Sequence, residues 1–136
     1  MIEWKPELAT GVSQIDEQHQ KLVEICSKTF HLVKAKDEID HYDEIAALIN
    51  ELKDYTHYHF SFEEALLEKF NYPEFEQHKI EHYLFLKRID KMDLGSIDKN
   101  QSNALLELLN MLIDWISSHI LNTDMKYAAL LKENGL

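Results

Sequence analysis

Cysteine, glycine and proline are all scarce in this chain of 136 residues, which contains one cysteine, three glycines and two prolines. The single cysteine, Cys26, excludes an internal disulfide framework and is compatible with a reducing compartment. So few glycines and prolines argue against a fold built on many tight turns, and they favour long helices with short connections. The length is that of one domain with a sizeable core, and we predict a single domain over residues 1–136.

Basic residues are also scarce: the chain contains 14 Lys and Arg but 25 Asp and Glu, which gives a formal net charge of −11. Nucleic acids and anionic membranes both need a basic face, so we expect neither as a partner. The N-terminal sequence MIEWKPELATG lacks the basic start and apolar run of a signal peptide. No apolar segment approaches the roughly 20 residues that span a bilayer. We therefore expect a cytoplasmic protein, and the sequence specifies no protein partner.

Four segments place apolar residues at alternating steps of three and four, the spacing of one helix face. They cover residues 13–36, 42–70, 73–92 and 101–121, and Pro73 suits the first turn of the third. A short final helix is predicted over residues 124–133, closed by Asn134 and Gly135. The short connections predict an all-α fold, an antiparallel up-down-up-down four-helix bundle with a short C-terminal helix.

Each of the four apolar stripes contains at least one histidine. His59 and Glu63 form one pair at i,i+4, so they lie on the same helix face one turn apart. His78 and His82 form a second such pair, while the first and fourth stripes supply His19 and His119. A single buried histidine is usually an ordinary core residue. Burying five imidazoles and a carboxylate without a cation would be costly, so the joint pattern predicts a metal site at one level of the bundle.

The interval between His119 and Asp124 does not fit an ideal helix. At about 100° per residue, two side chains five residues apart diverge by roughly 140°. The intervening sequence, LNTD, contains residues that favour a helix end and a new N-cap. We therefore predict that the fourth helix breaks or redirects here, which turns Asp124 back toward the site that His119 faces.

The ligand types narrow the choice of metal. Five histidines exceed the needs of one tetrahedral zinc, and they are too rich in nitrogen for magnesium or calcium. The set suits two octahedral ions side by side, for which iron fits best, although manganese, copper and cobalt are also admitted. Ferritin-like bundles use four carboxylates with Glu-x-x-His motifs, and these stripes contain none. Because imidazoles donate less charge than carboxylates, we expect reversible binding of a small molecule rather than substrate oxidation.

These motifs resemble those of the hemerythrins, most closely the single-domain bacterial ones. The resemblance covers nearly the whole chain, through EWKPELATGVSQIDEQHQKLV, HFSFEE, HKIEH and WISSHILNTDMKY. It implies one iron held by three histidines, another held by two, and two carboxylates that bridge them with an oxo or hydroxo group. The implied ligands are, in that order, His78, His82 and His119; His19 and His59; and Glu63 and Asp124. Dioxygen would bind end-on at the iron with two histidines.

The resemblance also assigns an apolar oxygen pocket, at positions that read Leu22, Phe60, Trp115, Ile116 and Ile120 here. Tyr127, three residues after Asp124, is predicted to lie just behind the ligands. The main functional prediction is a protein that is not an enzyme and binds O2 reversibly for storage, delivery or scavenging. Two alternatives use the same ligands: a sensor of oxygen, redox state or iron that acts through a partner, and a di-iron peroxidase or nitric-oxide-consuming enzyme.

Overall fold

The computed structural model describes residues 3–34, 41–92 and 100–136. Within these ranges the chain is helical and contains no strand. The helices are α1 (Ser13–Lys34), α2 (Tyr42–Lys69), α3 (Phe75–Asp90), α4 (Gln101–Asp114) and α5 (Met125–Glu133), and a π-helical segment (Trp115–Asp124) joins the last two without a break. A 3-10 turn at Pro6–Leu8 precedes α1. The predicted all-helical bundle is confirmed.

The neighbouring helices alternate in direction. Helix α1 packs against both α2 and α4, and α2 packs against α3. The backbone N–H of His41, at the start of α2, donates to the Oε1 atom of Gln101, the first residue of α4, at 2.9 Å. The N-termini of α2 and α4 therefore lie at the same end of the bundle, as the up-down-up-down order requires.

Two hydrophobic clusters fill the interior of the bundle. The larger cluster contains most of the buried apolar side chains of α1, α2 and α4, such as Leu22, Leu52 and Leu108. The smaller cluster lies around the C-terminal helix and contains Val12, Ile15, Leu67, Tyr72, Tyr127 and Leu131. Three buried polar residues each come between a member of the smaller cluster and a member of the larger one: His19 between Ile15 and Leu22, Glu63 between Leu67 and Phe60, and Asp124 between Tyr127 and Ile120. The bundle therefore has one polar layer with apolar packing on both sides.

Two sequence predictions about helix ends need correction. Pro73 does not lie in the first turn of α3, because that helix begins at Phe75 and Pro73 belongs to the turn before it. The separate C-terminal helix is instead continuous with α4 through the π-helical segment. The predicted closing turn is found: Gly135 has a φ of +87°, and the N–H of Leu136 donates to the carbonyl of Leu131 at 3.1 Å.

The last continuous helix, Gln101–Glu133, is long and apolar enough by length and composition to cross a membrane. The prediction that no segment approaches that length was therefore wrong. One helix of this kind is weak support for a membrane span, because the core helix of a bundle passes the same test. This helix also places His119 and Asp124 in the buried polar layer, and it contributes Leu108 and Leu112 to the larger cluster.

Candidate metal centre

The polar layer contains all seven side chains that the sequence predicted as ligands, each at most 4% exposed: His19, His59, Glu63, His78, His82, His119 and Asp124. Their candidate ligand atoms form two groups, and the atoms of each group lie within 4.8 Å of one another. One group joins Glu63 to His78, His82 and His119, which we call the three-histidine set. The other joins both carboxylates to His19 and His59, which we call the two-histidine set. Two metal-sized sites therefore lie side by side.

Glu63 lies between the two sets, with one carboxylate oxygen toward each. Its Oε2 atom is 3.1 Å from Nε2 of His59 and 3.7 Å from Nε2 of His19. Its Oε1 atom contacts Nε2 of His78 and lies 3.3 Å from Nε2 of His82. The carboxylate therefore has the position of a bridging ligand.

Asp124 repeats this arrangement from the fourth helix. Its Oδ2 atom is 3.0 Å from Nε2 of His19, in the two-histidine set. Its Oδ1 atom is 2.9 Å from Nε2 of His119 and 3.1 Å from Nε2 of His78, in the three-histidine set. Both carboxylates therefore offer one oxygen to each set.

The π-helical segment explains how His119 and Asp124 reach the same site. Asp124 has helical dihedral angles, φ −69° and ψ −29°, and caps no helix, so the predicted break and new N-cap were wrong. In π-helical geometry the backbone hydrogen bonds join residues five apart, so an interval of about five residues is one turn. His119 and Asp124 consequently lie on one face of an unbroken helix. The helix widens where the sequence suggested that it ends.

Many polar atoms of the layer have no hydrogen-bonding partner among the described residues. They include both carboxylate oxygens of Asp124, Oε2 of Glu63 and Nε2 of His19, His82 and His119. Buried polar groups are nearly always paired in folded proteins. These atoms approach one another at about 3 Å, yet they converge on common points and do not form aligned pairs. That arrangement, with nitrogen and oxygen donors only, fits a pair of transition-metal ions.

The buried charges keep the carboxylates ionised. Burial raises the pKa of Glu63, but the charge of His59 and the contacts with His19 and His78 outweigh burial and hold it well below its usual range. The pKa of Asp124 is also lowered. Burial and the charge of Glu63 raise this pKa, but His119 and His19 lower it by more. A pair of anions in one buried layer strongly favours a bound cation.

The pKa values of three histidines in the layer shift in different directions. Burial lowers the pKa of His19, but its contacts with Asp124 and Glu63 raise it to about 9. The same balance of burial against the two carboxylates raises the pKa of His78 to about 10. For His59 burial prevails, and its pKa is lowered. Protons on His19 and His78 therefore compete with a metal ion for the chain's ligands.

Three polar side chains contact the outward ring nitrogens of the histidines, and the sequence prediction missed all three. Oε1 of Gln18 lies 2.7 Å from Nδ1 of His59, and Oε2 of Glu64 lies 3.0 Å from Nδ1 of His82. Oε2 of Glu81 lies 3.2 Å from Nδ1 of His119. Such contacts fix the ring so that Nε2 points inward. Each of the three is adjacent in sequence to a predicted ligand, and this is the one sequence feature that could have identified it. Each nevertheless contacts a histidine on another helix, which the sequence does not reveal.

The five predicted pocket residues all belong to the larger cluster. Leu22, Phe60 and Ile120 are buried in it, and the half-buried Trp115 and Ile116 pack against it. The ring of Phe60 stacks on His82 with centroids 3.9 Å apart, and the ring of Trp115 stacks on His119 at the same distance. The apolar wall therefore lies directly against the three-histidine set.

Tyr127 lies on the opposite side of the polar layer, in the smaller cluster. It is fully buried, and its ring centroid is 5.5 Å from that of His78. Burial, together with the charges of Asp124 and Glu63, raises its pKa well above the usual value. Its hydroxyl therefore stays protonated, and the role of Tyr127 behind the ligands stays a prediction.

The other three histidines of the chain are outside both sets. His31 and His57 are exposed. Nδ1 of His41 lies 2.9 Å from Glu44, at the start of α2 and at the far end of the bundle from the polar layer. The histidines that are candidate ligands therefore differ from the other three in position, because they lie on the apolar, core-facing stripes of their helices.

Comparison with known proteins agrees with this geometry. A family model described as the hemerythrin HHE cation binding domain matches residues 10–131. A bacteriohemerythrin from Clostridium acetobutylicum is 39% identical over 127 residues, which cover 93% of this chain and 98% of the relative. A bacteriohemerythrin from Pseudomonas aeruginosa is 34% identical over 139 residues, covering 96% of this chain and 82% of the relative. A hemerythrin-like protein from Naegleria gruberi is 29% identical, covering 94% and 92% of the two chains.

Proposed function

The chain belongs to the hemerythrin family, and from that premise we propose that it holds two iron ions, bridged by an oxo or hydroxo group, and binds dioxygen reversibly. In this proposal it stores, delivers or scavenges O2 in the cytoplasm, as a single domain over residues 1–136, and it is not an enzyme. The observation that carries the proposal is the pair of buried carboxylates, each with one oxygen toward the three-histidine set and one toward the two-histidine set.

The two sets are unequal, and the inequality supports binding of a small ligand. Three imidazoles and two carboxylate oxygens would hold one iron, whereas two imidazoles and two carboxylate oxygens would hold the other. The two-histidine set therefore offers one protein ligand fewer, and a metal ion held there would have room for dioxygen. When bound, an iron pair would supply the electrons for holding O2 without breaking its bond.

The chain's own residues protect that position. Phe60 joins the two sets, because its ring stacks on His82 of the three-histidine set and lies 5.7 Å, centroid to centroid, from His59 of the two-histidine set. Trp115 stacks on His119 and continues the apolar wall on the three-histidine side. Leu22 and Ile120, both essentially inaccessible to solvent, extend this wall within the larger cluster. Such a lining excludes water and protons, and this exclusion slows irreversible oxidation of bound iron.

The test is a visible spectrum of iron-loaded, anaerobically reduced protein before and after exposure to air, followed by removal of oxygen. We expect charge-transfer bands that appear with oxygen and disappear when it is removed. The His57→Ala variant should behave identically, because that exposed histidine lies outside both sets. Immediate conversion to a stable oxidised form would favour sensing or redox turnover, and rapid turnover of peroxide or nitric oxide would make the protein an enzyme.

A further inference from the structure

The outward nitrogens of the histidines have chemically different partners in the two sets. In the three-histidine set, His82 and His119 face the carboxylates of Glu64 and Glu81, at 3.0 and 3.2 Å. In the two-histidine set, His59 faces the neutral amide oxygen of Gln18 at 2.7 Å. The Nδ1 atoms of His19, His78 and His119 make no hydrogen bond within the described ranges, and Glu81 approaches His119 at an ion-pair distance only. Negative charge around the imidazoles is therefore concentrated on one side of the layer.

This difference changes how strongly each set binds a cation. Glu64 accepts a hydrogen bond from Nδ1 of His82, which increases the basicity of Nε2. Glu81 makes no hydrogen bond to His119, but its negative charge 3.2 Å from Nδ1 adds to the attraction for a cation. An amide oxygen fixes the ring in the same way without adding charge. Loss of such an outer partner typically lowers metal affinity 10- to 100-fold. Two carboxylates on one side and none on the other therefore imply a large difference between the two positions.

We propose that Glu64 and Glu81 are positioning residues that make the three-histidine set the tighter metal position, so that it fills first and the two-histidine set fills second. The neutral Gln18 keeps the second position weaker. This inference rests on the proposed function only in requiring two metal positions in one layer. It concerns the order in which the metal ions enter and adds no ligand to either set.

The experiment titrates metal-free protein with Co²⁺ under argon, with visible absorption and calorimetry as readouts. We expect two resolved steps of one ion per chain each. The His82→Ala variant should remove the tighter step, and His59→Ala should remove the weaker one, which assigns each step to a set. This assignment needs no oxygen-binding activity.

The outer partners are then changed one at a time. Glu64→Gln and Glu81→Gln should each weaken the tighter step 10- to 100-fold and leave the weaker step nearly unchanged. Glu81→Asp should retain part of the effect because the charge remains. Gln18→Glu should strengthen the weaker step, and this gain cannot come from damage to the fold. Glu68→Gln and Glu76→Gln are the matched controls, since they remove an exposed charge from α2 and α3.

Each outcome has a separate meaning. Two steps of equal affinity in the unchanged protein would overturn the inference, as would Glu64→Gln and Glu81→Gln variants that match their controls. Uptake of fewer than two ions per chain would instead contradict the two-metal site of the proposed function. Glu64 and Glu81 are partly exposed, with side chains 24% and 33% accessible, so their glutamine variants should fold. Circular dichroism of each variant checks this.

Discussion

Replacing Glu63 by glutamine preserves the shape of one side chain and removes a ligand that both sets share. The carboxylate contacts the Nε2 atoms of four histidines: His19, His59, His78 and His82. Glutamine keeps one oxygen, but its second terminal atom is an NH2 group, which donates hydrogen bonds and cannot ligate a metal ion. One of the two sets must therefore lose a ligand. We expect the variant to bind about one ion per chain tightly.

The expected magnitude follows from the contacts. Removing only an outer partner of a metal ligand costs 10- to 100-fold in affinity, so removing a bridging ligand should cost at least ~100-fold for the second ion. A hundredfold loss of affinity removes about 2.7 kcal/mol of metal-linked stabilisation. For a domain of this size, that loss narrows the melting-temperature gap between metal-loaded and chelated protein by roughly 10 °C.

The assay is differential scanning calorimetry of the protein and of Glu63→Gln, each with metal and with chelator, together with metal analysis. The difference between loaded and chelated melting temperatures cancels any effect of the substitution on the metal-free fold. Glu68→Gln, an exposed change on the same helix, is the control. The reasoning is refuted if Glu63→Gln still binds two ions and its gap equals that of the control.

Three other predictions follow from burial and charge. The pKa values of His19 and His78 are raised to about 9 and about 10. The free energy of unfolding of the metal-free chain, measured with urea, should therefore be highest below about pH 6.5 and fall by a few kcal/mol as the pH rises through 9 to 10. A free energy of unfolding that rises over this range would contradict the shifts. Phe60→Ala should lower the free energy of unfolding in denaturant by about 3–5 kcal/mol. It should also shorten the lifetime of the oxygenated spectrum, and an unchanged lifetime would show that this ring does not protect the site. Burial raises the pKa of the Cys26 thiol to about 11. Iodoacetamide should therefore alkylate it far more slowly in folded than in denatured protein, as measured by mass spectrometry. Equal alkylation rates would contradict an inert thiol.

The elements best predicted from sequence are those fixed by local periodicity. The predicted starts of three helices, at Ser13, Tyr42 and Gln101, coincide with the observed ones. Six of the seven candidate ligands could be predicted as a group because each interrupts an apolar stripe, and a bundle brings its stripes together. Asp124 lies off the stripe of His119 and is predicted from its interval and from the family resemblance. The outer partners could not, since Gln18 and His59 are 41 residues apart and meet only through the register of α1 against α2.

The π-helical segment shows where tertiary packing prevails over local preference. Asn, Thr and Asp before Met125 favour a helix end, which is what the sequence predicts. However, Ile120 is buried in the larger cluster and Tyr127 in the smaller one, on either side of Asp124. A break would expose backbone groups and disturb both clusters. A wider helical turn retains the backbone hydrogen bonds and delivers Asp124 to the polar layer.

The polar layer also determines how the chain is held together along its length. Its side chains come from all four helices of the bundle and extend in sequence from residue 19 to residue 124. Metal ions bound there would act as removable cross-links that close long loops of the chain, in a protein whose single cysteine allows no internal disulfide. Neither the first helix nor the last could detach without releasing a ligand. Chelation should therefore increase amide hydrogen exchange in all four helices together, including parts far from the layer itself.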